Sequence, residues 1–491
     1  MPSTHSPATD RPPVRHAGLI VAVLAFGSLC GALMQSLVIP IQGALPGLLH
    51  TSPANASWVV TATLLGSAVA MPLTGRLADI VGKKPVLVVS AAVLLVGSLV
   101  CALSSSLPVV LTGRVLQGVA MGFIPVAISL AREVAPPATA HTAVAGISAT
   151  LGVGGALGLP LAAWVAQSHD WHLLFWISTG LAAVVLVAVA VLLPPLHDAH
   201  PAPVDHVGAV GLSVGLVAVL VAVSKGSAWG WTSGTTWGLL AGGVVVLLAW
   251  GWYELRHDAP LVDLRTTARR PVLLTNIAAL LVGFGMMAQS IVAPQLLQLP
   301  TATGFGLGQT VLQAGVWMAP AGVMMLLLTP VSSRLLRTLG GRAALALGAT
   351  VLAGGYLLAT FLTDAPWQLM LASCVASAGV GIGYAAMPTL IMQNVPAEEA
   401  ASGVGVNALM RSMGTTTAGA VMAMVLTSRT VAFGPAQIPA EGAFRLCFAI
   451  GAAAAVAGAL VALAIPRPRR GAAAAAPAPA AEQPQESPVG H

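Results

Sequence analysis

Gly75-Arg76-Leu77-Ala78-Asp79-Ile80-Val81-Gly82-Lys83-Lys84 lies between two long apolar runs, 57–74 and 86–104. A helix needs roughly 20 apolar residues to cross a bilayer, and both runs approach that length. A charged connection this short between them forces an antiparallel hairpin of two membrane helices. The spacing reads G-x-L-x-D-x-x-G-K-K, with the glycines, the acid and the basic pair set in one turn.

Composition leads to the same class. Hydrophobic residues make up 57% of the chain, charged residues 7%, and mean hydropathy is +0.88. A soluble domain carries roughly 25% charged residues, so this chain cannot coat itself for water. Each span should be a helix, because a helix satisfies its own backbone in lipid. The expected fold class is an all-α integral membrane protein. A pI near 9.6 could suggest nucleic acid, but the bases are scattered through short loops, which reads as topology and excludes a nucleic-acid patch. Cys30, Cys101, Cys374 and Cys447 all sit in apolar runs without CxxC spacing, as buried thiols do. Residues 1–16 are polar with no cleavage pattern, so the first apolar run reads as a retained span.

Apolar runs and their breaks give about fourteen helices, at approximately 18–43, 57–78, 86–105, 108–131, 142–166, 172–194, 208–226, 234–254, 272–297, 310–333, 343–363, 367–394, 402–427 and 443–465. The Ala- and Pro-rich tail from Arg467 is expected to be disordered. With residue 1 in the cytoplasm, only Lys225, Arg429 and Arg445 of the 21 bases fall outside, and Arg114 and Arg411 fall within spans. This asymmetry places both termini in the cytoplasm. Loops 195–207 and 395–401 carry no base and leave it unsupported locally. The chain also repeats itself. Ser333-Arg334-Leu335-Leu336-Arg337-Thr338-Leu339-Gly340-Gly341-Arg342 lies over Gly75 to Lys84, with Arg334, Leu335 and Gly340 matching Arg76, Leu77 and Gly82. Arg342 meets Lys84, while Arg337 stands where the first copy has Asp79.

The decapeptide resembles the loop between helices 2 and 3 of the major facilitator superfamily of transporters. With the repeat, the resemblance implies two six-helix halves, 18–194 and 272–465, flanking two inserted helices in 195–271, with cytoplasmic tails 1–17 and 466–491. Fourteen spans arranged so resemble the drug:proton antiporter branch, in which the loop (Gly75, Arg76, Asp79, Gly82, Lys83, Lys84) acts as a gate latch. Arg114, Gln117 and Gly118 resemble the superfamily's R-x-x-Q-G motif, tied there to proton transfer or substrate contact. Gly154, Gly155, Gly158 and Pro160 resemble the motif of drug-exporting members, although Gly154-Gly155 replaces Gly-Pro and Ala162-Ala163 replaces the later glycine pair. Leu37 occupies the place of the aspartate that many fourteen-span antiporters carry in helix 1.

The residues themselves support parts of this. Asp79 lies at a helix C-terminus, where carbonyls disfavour a carboxylate unless an arginine or another helix N-terminus faces it. The bland alternative is a solvated loop, natural for Lys83 and Lys84 alone. Arg114 costs at least a few kcal/mol in lipid, which favours the cavity over snorkelling to the interface. Asn407 and Arg411 share a helix face at i, i+4, and Arg411 either faces the cavity or ties helices through carbonyls. Gly154, Gly158 and Ala162 form a smooth packing stripe, an equal account of that motif. None of the 15 acids is central in a span, so Asp79 and Glu133, at span ends, are the candidates for proton coupling. An interior with two cations and no acid suits anionic or neutral substrates.

No phosphate loop, H-E-x-x-H or G-x-S-x-G occurs, and His197, His200 and His206 form a loose loop cluster suited to solvent more than to metal. The expectation is therefore a monomeric exporter of small organic molecules in the cell membrane, without cofactor or metal, coupled to protons by the family resemblance. The alternatives are an importer or uniporter of an anionic metabolite, and a membrane-embedded receptor or scaffold.

Overall fold

The computed structural model describes residues 16–42, 44–194, 199–433 and 436–466. The expected tails before residue 16 and after 466, with Arg467 and the bases beside it, lie outside these residues, as does His197. The helices are α1 (Ala17–Ser36), α2 (Trp58–Val81), α3 (Lys83–Ala102), α4a (Leu107–Ala120), α4b (Phe123–Val134), α5 (Ala140–Ser168) and α6 (His172–Leu192). They continue with α7 (His206–Trp229), α8 (Gly234–Glu254), α9 (Arg270–Gln298), α10 (Val311–Leu327), α11 (Thr329–Phe361), α12 (Pro366–Asn394), α13 (Ala400–Ser428) and α14 (Glu441–Ala464). A short antiparallel hairpin, Thr430–Phe433 with Ala436–Pro439, joins the last two and was not foreseen.

Among the described residues, twelve helical segments are long and apolar enough to cross a membrane, and α10 is a shorter apolar helix. Each of the fourteen expected spans has a helix, but α10 is short of crossing length and α13 is not among the twelve. The expected helices at 310–333 and 343–363 are divided differently: α10 stops at Leu327, and α11 runs from Thr329 through a break at Gly340, where φ is 78°. Helix 1 also ends earlier than expected, at Ser36, ahead of Pro40.

Between α2 and α3 the structure corrects the expected turn. Residues 75–81 are helical, so Asp79 lies in the last turn of α2, and Gly82 alone makes the reversal at φ 102°. A positive φ is costly for any residue with a Cβ, which is why glycine stands there. Gly340, its counterpart in the repeat, adopts the same unusual backbone. The likeness extends to side chains. Lys84 donates to the carbonyl of Leu193 at the end of α6, and Arg342 donates to that of Leu463 at the end of α14. In each half the base after the glycine caps the sixth helix, where a cation is favoured.

One apolar core is drawn mainly from α9–α14 and another mainly from α1–α6, with Ala145 joining the first and Ile391 and Val404 the second. Of the inserted pair, α7 lays Leu212, Leu216 and Leu220 against Ala68 of α2 and Val406 and Leu409 of α13. Helix α8 is the least buried of the twelve, with Val245, Leu248 and Trp252 exposed as lipid-facing side chains are.

Candidate functional site

Both Asp79 oxygens accept hydrogen bonds from the first turn of α13, from the backbone N–H of Ala401 at 3.2 Å and of Ser402 at 2.8 Å. The first four N–H groups of a helix have no intrahelical acceptor and form its positive end. Of the two partners the sequence allowed, the structure supplies the helix N-terminus. Gly75, one turn earlier, makes the approach feasible: a Cβ there would stand 2.5 Å from the Ala401 carbonyl oxygen. The basic pair is not a solvated loop. Lys83 is buried and pairs with Glu133 at 2.7 Å, and Lys84 is held at the end of α6. His200 closes the assembly by donating its backbone N–H to the Asp79 carbonyl at 2.9 Å. Arg76 faces a charged pocket of about 360 Å³ shared with Glu254, Asp258, Asp263, Arg265 and Glu399. Partial burial and the neighbouring Asp263 push the Glu399 carboxyl above the usual range.

Between the halves lies a second space of about 240 Å³, walled by α1, α2, α5, α9, α10, α12 and α13. It shares Ile39, Leu159, Ser290 and Pro294 with a wider region of about 560 Å³ at the far face, beside Ser57, Gln298 and Val311. The cavity therefore opens away from Gly82, and the Asp79 contact closes the Gly82 face. Six methionines (71, 121, 286, 287, 318 and 325) line it, with Gln35, Gln289 and Tyr384 among the polar groups. Among the described residues, Arg411 is the one ionisable side chain of its wall besides Tyr384. Its guanidinium lies 4.6 Å from the Tyr384 ring centroid and 8% of the residue is exposed.

The structure separates the two interior arginines. Arg114 is 1% exposed and does not line the cavity. Its Nε donates to the Val59 carbonyl at 3.1 Å, and its Nη1 to the Met34 carbonyl at 3.3 Å and to Gln117 Oε1 at 2.7 Å. Gln117 passes the network to Ser98 at 2.9 Å, so Arg114 ties α1, α2 and α3 to α4a. The expectation of cavity contact fails there because carbonyls satisfy the guanidinium internally. Gly118 serves packing, since a Cβ there would meet Gly66 Cα of α2 at 3.1 Å. Asn407 also misses the cavity and donates to Asn276 Oδ1 at 2.9 Å, joining α13 to α9. Glu133, held by Lys83, lies beside the α2–α3 turn and outside the cavity wall.

The glycines of α5 divide by face. A Cβ at Gly154 would come within 2.7 Å of Leu33 N, and Gly158 abuts Ser36, so these two seat α5 on α1. Gly155 faces the cavity, and Pro160 meets Gly315 of α10. Gln35, Gln289, Tyr384 and the methionines were missed in the sequence, where they merge with apolar runs. The polar residues spaced along α9 and α12 were the only signal for them.

A model of the Major Facilitator Superfamily matches residues 24–419. The chain belongs to this superfamily. Its members are transporters and not enzymes, and this chain is accordingly a multi-pass membrane protein. A Mycobacterium tuberculosis transporter of the superfamily, itself uncharacterised, is 30% identical over 430 residues, covering 85% of this chain and 61% of the relative. This chain therefore spans less than two thirds of that relative's length. The multidrug transporter MdtP of Bacillus subtilis is 24% identical, covering 84% of this chain and 75% of its own. Among solved structures, the human organic anion transporter MFSD10 superposes with a TM-score of 0.64 at 17% identity, covering 92% of this chain and all of that one, a likeness of fold alone.

Proposed function

We propose that this superfamily member exports small organic molecules, drugs or secondary metabolites, across the cell membrane by alternating access, as a monomer. The observation that carries the reading is one cavity closed at the Gly82 face by Asp79 on α13 and open at the other. Placing the Gly82 face in the cytoplasm, as the distribution of bases favours, makes this the outward-facing state. Fourteen crossings follow if α11 is divided at Gly340, residues 329–339 completing α10, and α13 is counted as a span. That count, with α7 and α8 as the inserted pair, supports the drug:proton antiporter branch. The named activity of MdtP gives it further support.

Coupling to protons belongs to this proposal. Among the described residues no carboxylate lines the cavity, so Asp79 and Glu133 beside the α2–α3 turn are the candidates for coupling. The test is uphill substrate movement in inverted vesicles with an imposed pH gradient. Export that stops when the gradient is dissipated supports antiport. Undiminished uphill export after collapse of both pH gradient and membrane potential rules it out, and net inward movement in cells would favour the importer instead.

A further inference from the structure

We infer that Arg411, with the Tyr384 ring against it, binds the anionic group of a planar aromatic substrate whose apolar body lies on the methionine wall. The inference rests on the reading that this chain moves small organic molecules and adds the charge and shape of one class of them. Its first ground is the state of Arg411. The side chain is more than nine-tenths buried, it faces the cavity, and no hydrogen bond or ion pair holds its guanidinium among the described residues. Removing a charge from water costs several kcal/mol unless a counter-charge is present. Arg114 shows the contrast, being buried too but satisfied by two carbonyls and Gln117.

The second ground is the wall. Among the described residues it contains no Asp or Glu, so a cationic substrate would meet repulsion and no counter-ion. An anion entering from the wide mouth would supply what Arg411 lacks. Arg411 Cζ lies over the Tyr384 ring at 4.6 Å, and the guanidinium, with no hydrogen-bond partner among the described residues, has N–H groups to offer a carboxylate or sulfonate in paired bonds. Met71, Met121, Met286, Met287, Met318 and Met325 provide a polarisable surface that favours aromatic rings and adapts to their outline.

A matched pair of xanthene dyes tests this, fluorescein as dianion and rhodamine 123 as cation, with the full chain in nanodiscs at pH 8. Fluorescence anisotropy should show fluorescein bound at least about tenfold more tightly than rhodamine 123. Arg411→Gln should weaken fluorescein about tenfold or more, and Arg411→Lys should weaken it less, a point charge lacking the paired geometry. Tyr384→Leu keeps the charge but removes the ring, and should weaken fluorescein severalfold; it serves if Arg411→Gln does not fold. Arg445→Gln, which removes an exposed surface charge, should leave both dyes unchanged. Equal affinity for the two dyes, or wild-type affinity for fluorescein in folded Arg411→Gln, overturns the inference. Fluorescein bound with these preferences but not moved in proteoliposomes leaves the site standing and refutes the export reading. Transport of rhodamine 123 without binding of fluorescein does the reverse.

Discussion

Replacing Asp79 by Asn should release α13 from α2, and the effect can be read at two atoms. The amides of Ala401 and Ser402 lie in the first turn of α13, where no intrahelical acceptor exists, and Asp79 is their acceptor. Hydrogen bonds to a charged group contribute about 1.5–3 kcal/mol each, and a carboxylate at a helix N-terminus adds up to about 2. Asn keeps one neutral acceptor oxygen but turns an NH₂ toward the second N–H. The net loss is about 2–4 kcal/mol, which raises the unlatched population about 30- to 1,000-fold. Hydrogen exchange of the peptide covering 397–405, in nanodiscs, reports this directly. Exchange at Ala401 and Ser402 should accelerate by that factor while the centre of α13 stays protected. Exchange within a factor of about two of wild type at these amides, in folded protein, would refute the reasoning and with it the latch. Transport by the same variant should fall severely with membrane insertion unaffected.

Gly75→Leu should disturb the same contact from the other side, since its Cβ alone overlaps the Ala401 carbonyl; gate-face cysteine labelling should rise and transport should fall. Arg114→Gln should lower the melting temperature by an amount equivalent to about 2–4 kcal/mol, because the Val59 and Met34 carbonyls lose their donor. Arg411→Gln, which removes a buried charge with no such partner, should melt no lower than wild type. Glu399→Gln should be more stable than wild type at neutral pH. Burial and Asp263 raise the folded-state carboxyl, so the wild type loses stability as pH rises from the unfolded-state range through the folded-state value. The gain should be at most about 2 °C, given partial exposure, and should vanish below the ordinary carboxylate range. Equal melting curves at neutral pH would show that Asp263 and burial do not act on it.

The decapeptide disclosed the hairpin and the need of Asp79 for a positive partner because both follow from local chain geometry and helix-end electrostatics. The repeat at Gly340 was legible for the same reason: a reversal in one residue demands glycine in either half. The two arginines were not separable. Each costs the same in lipid, and periodicity gives a face relative to its own helix but not the neighbour it meets. Only packing shows that carbonyls of α1 and α2 reach Arg114, while Arg411 meets a ring and open space. The cavity wall was hidden because methionine reads as core in any apolar run. The burial of Lys83 was hidden because its partner Glu133 is distant in sequence. The division between α10 and α11 was missed because Leu328 breaks the helix without glycine, with Pro330 just beyond.

The repeat carries one inequality with a mechanical consequence. Where the first half presents Asp79 to the N-terminus of α13, the second presents Arg337, near His141 at the N-terminus of α5. A cation facing the positive end of a helix gains nothing from it. The two seams at the Gly82 face are therefore unlike, one fastened by charge and the other merely apposed. On the alternating access proposed above, the α5 seam would part before the α2–α13 edge, where the Asp79 carboxylate holds two backbone N–H groups. On that proposal the charge of a single side chain, Asp79, sets how firmly the α2–α13 edge holds, and whatever alters that charge would alter the cycle there.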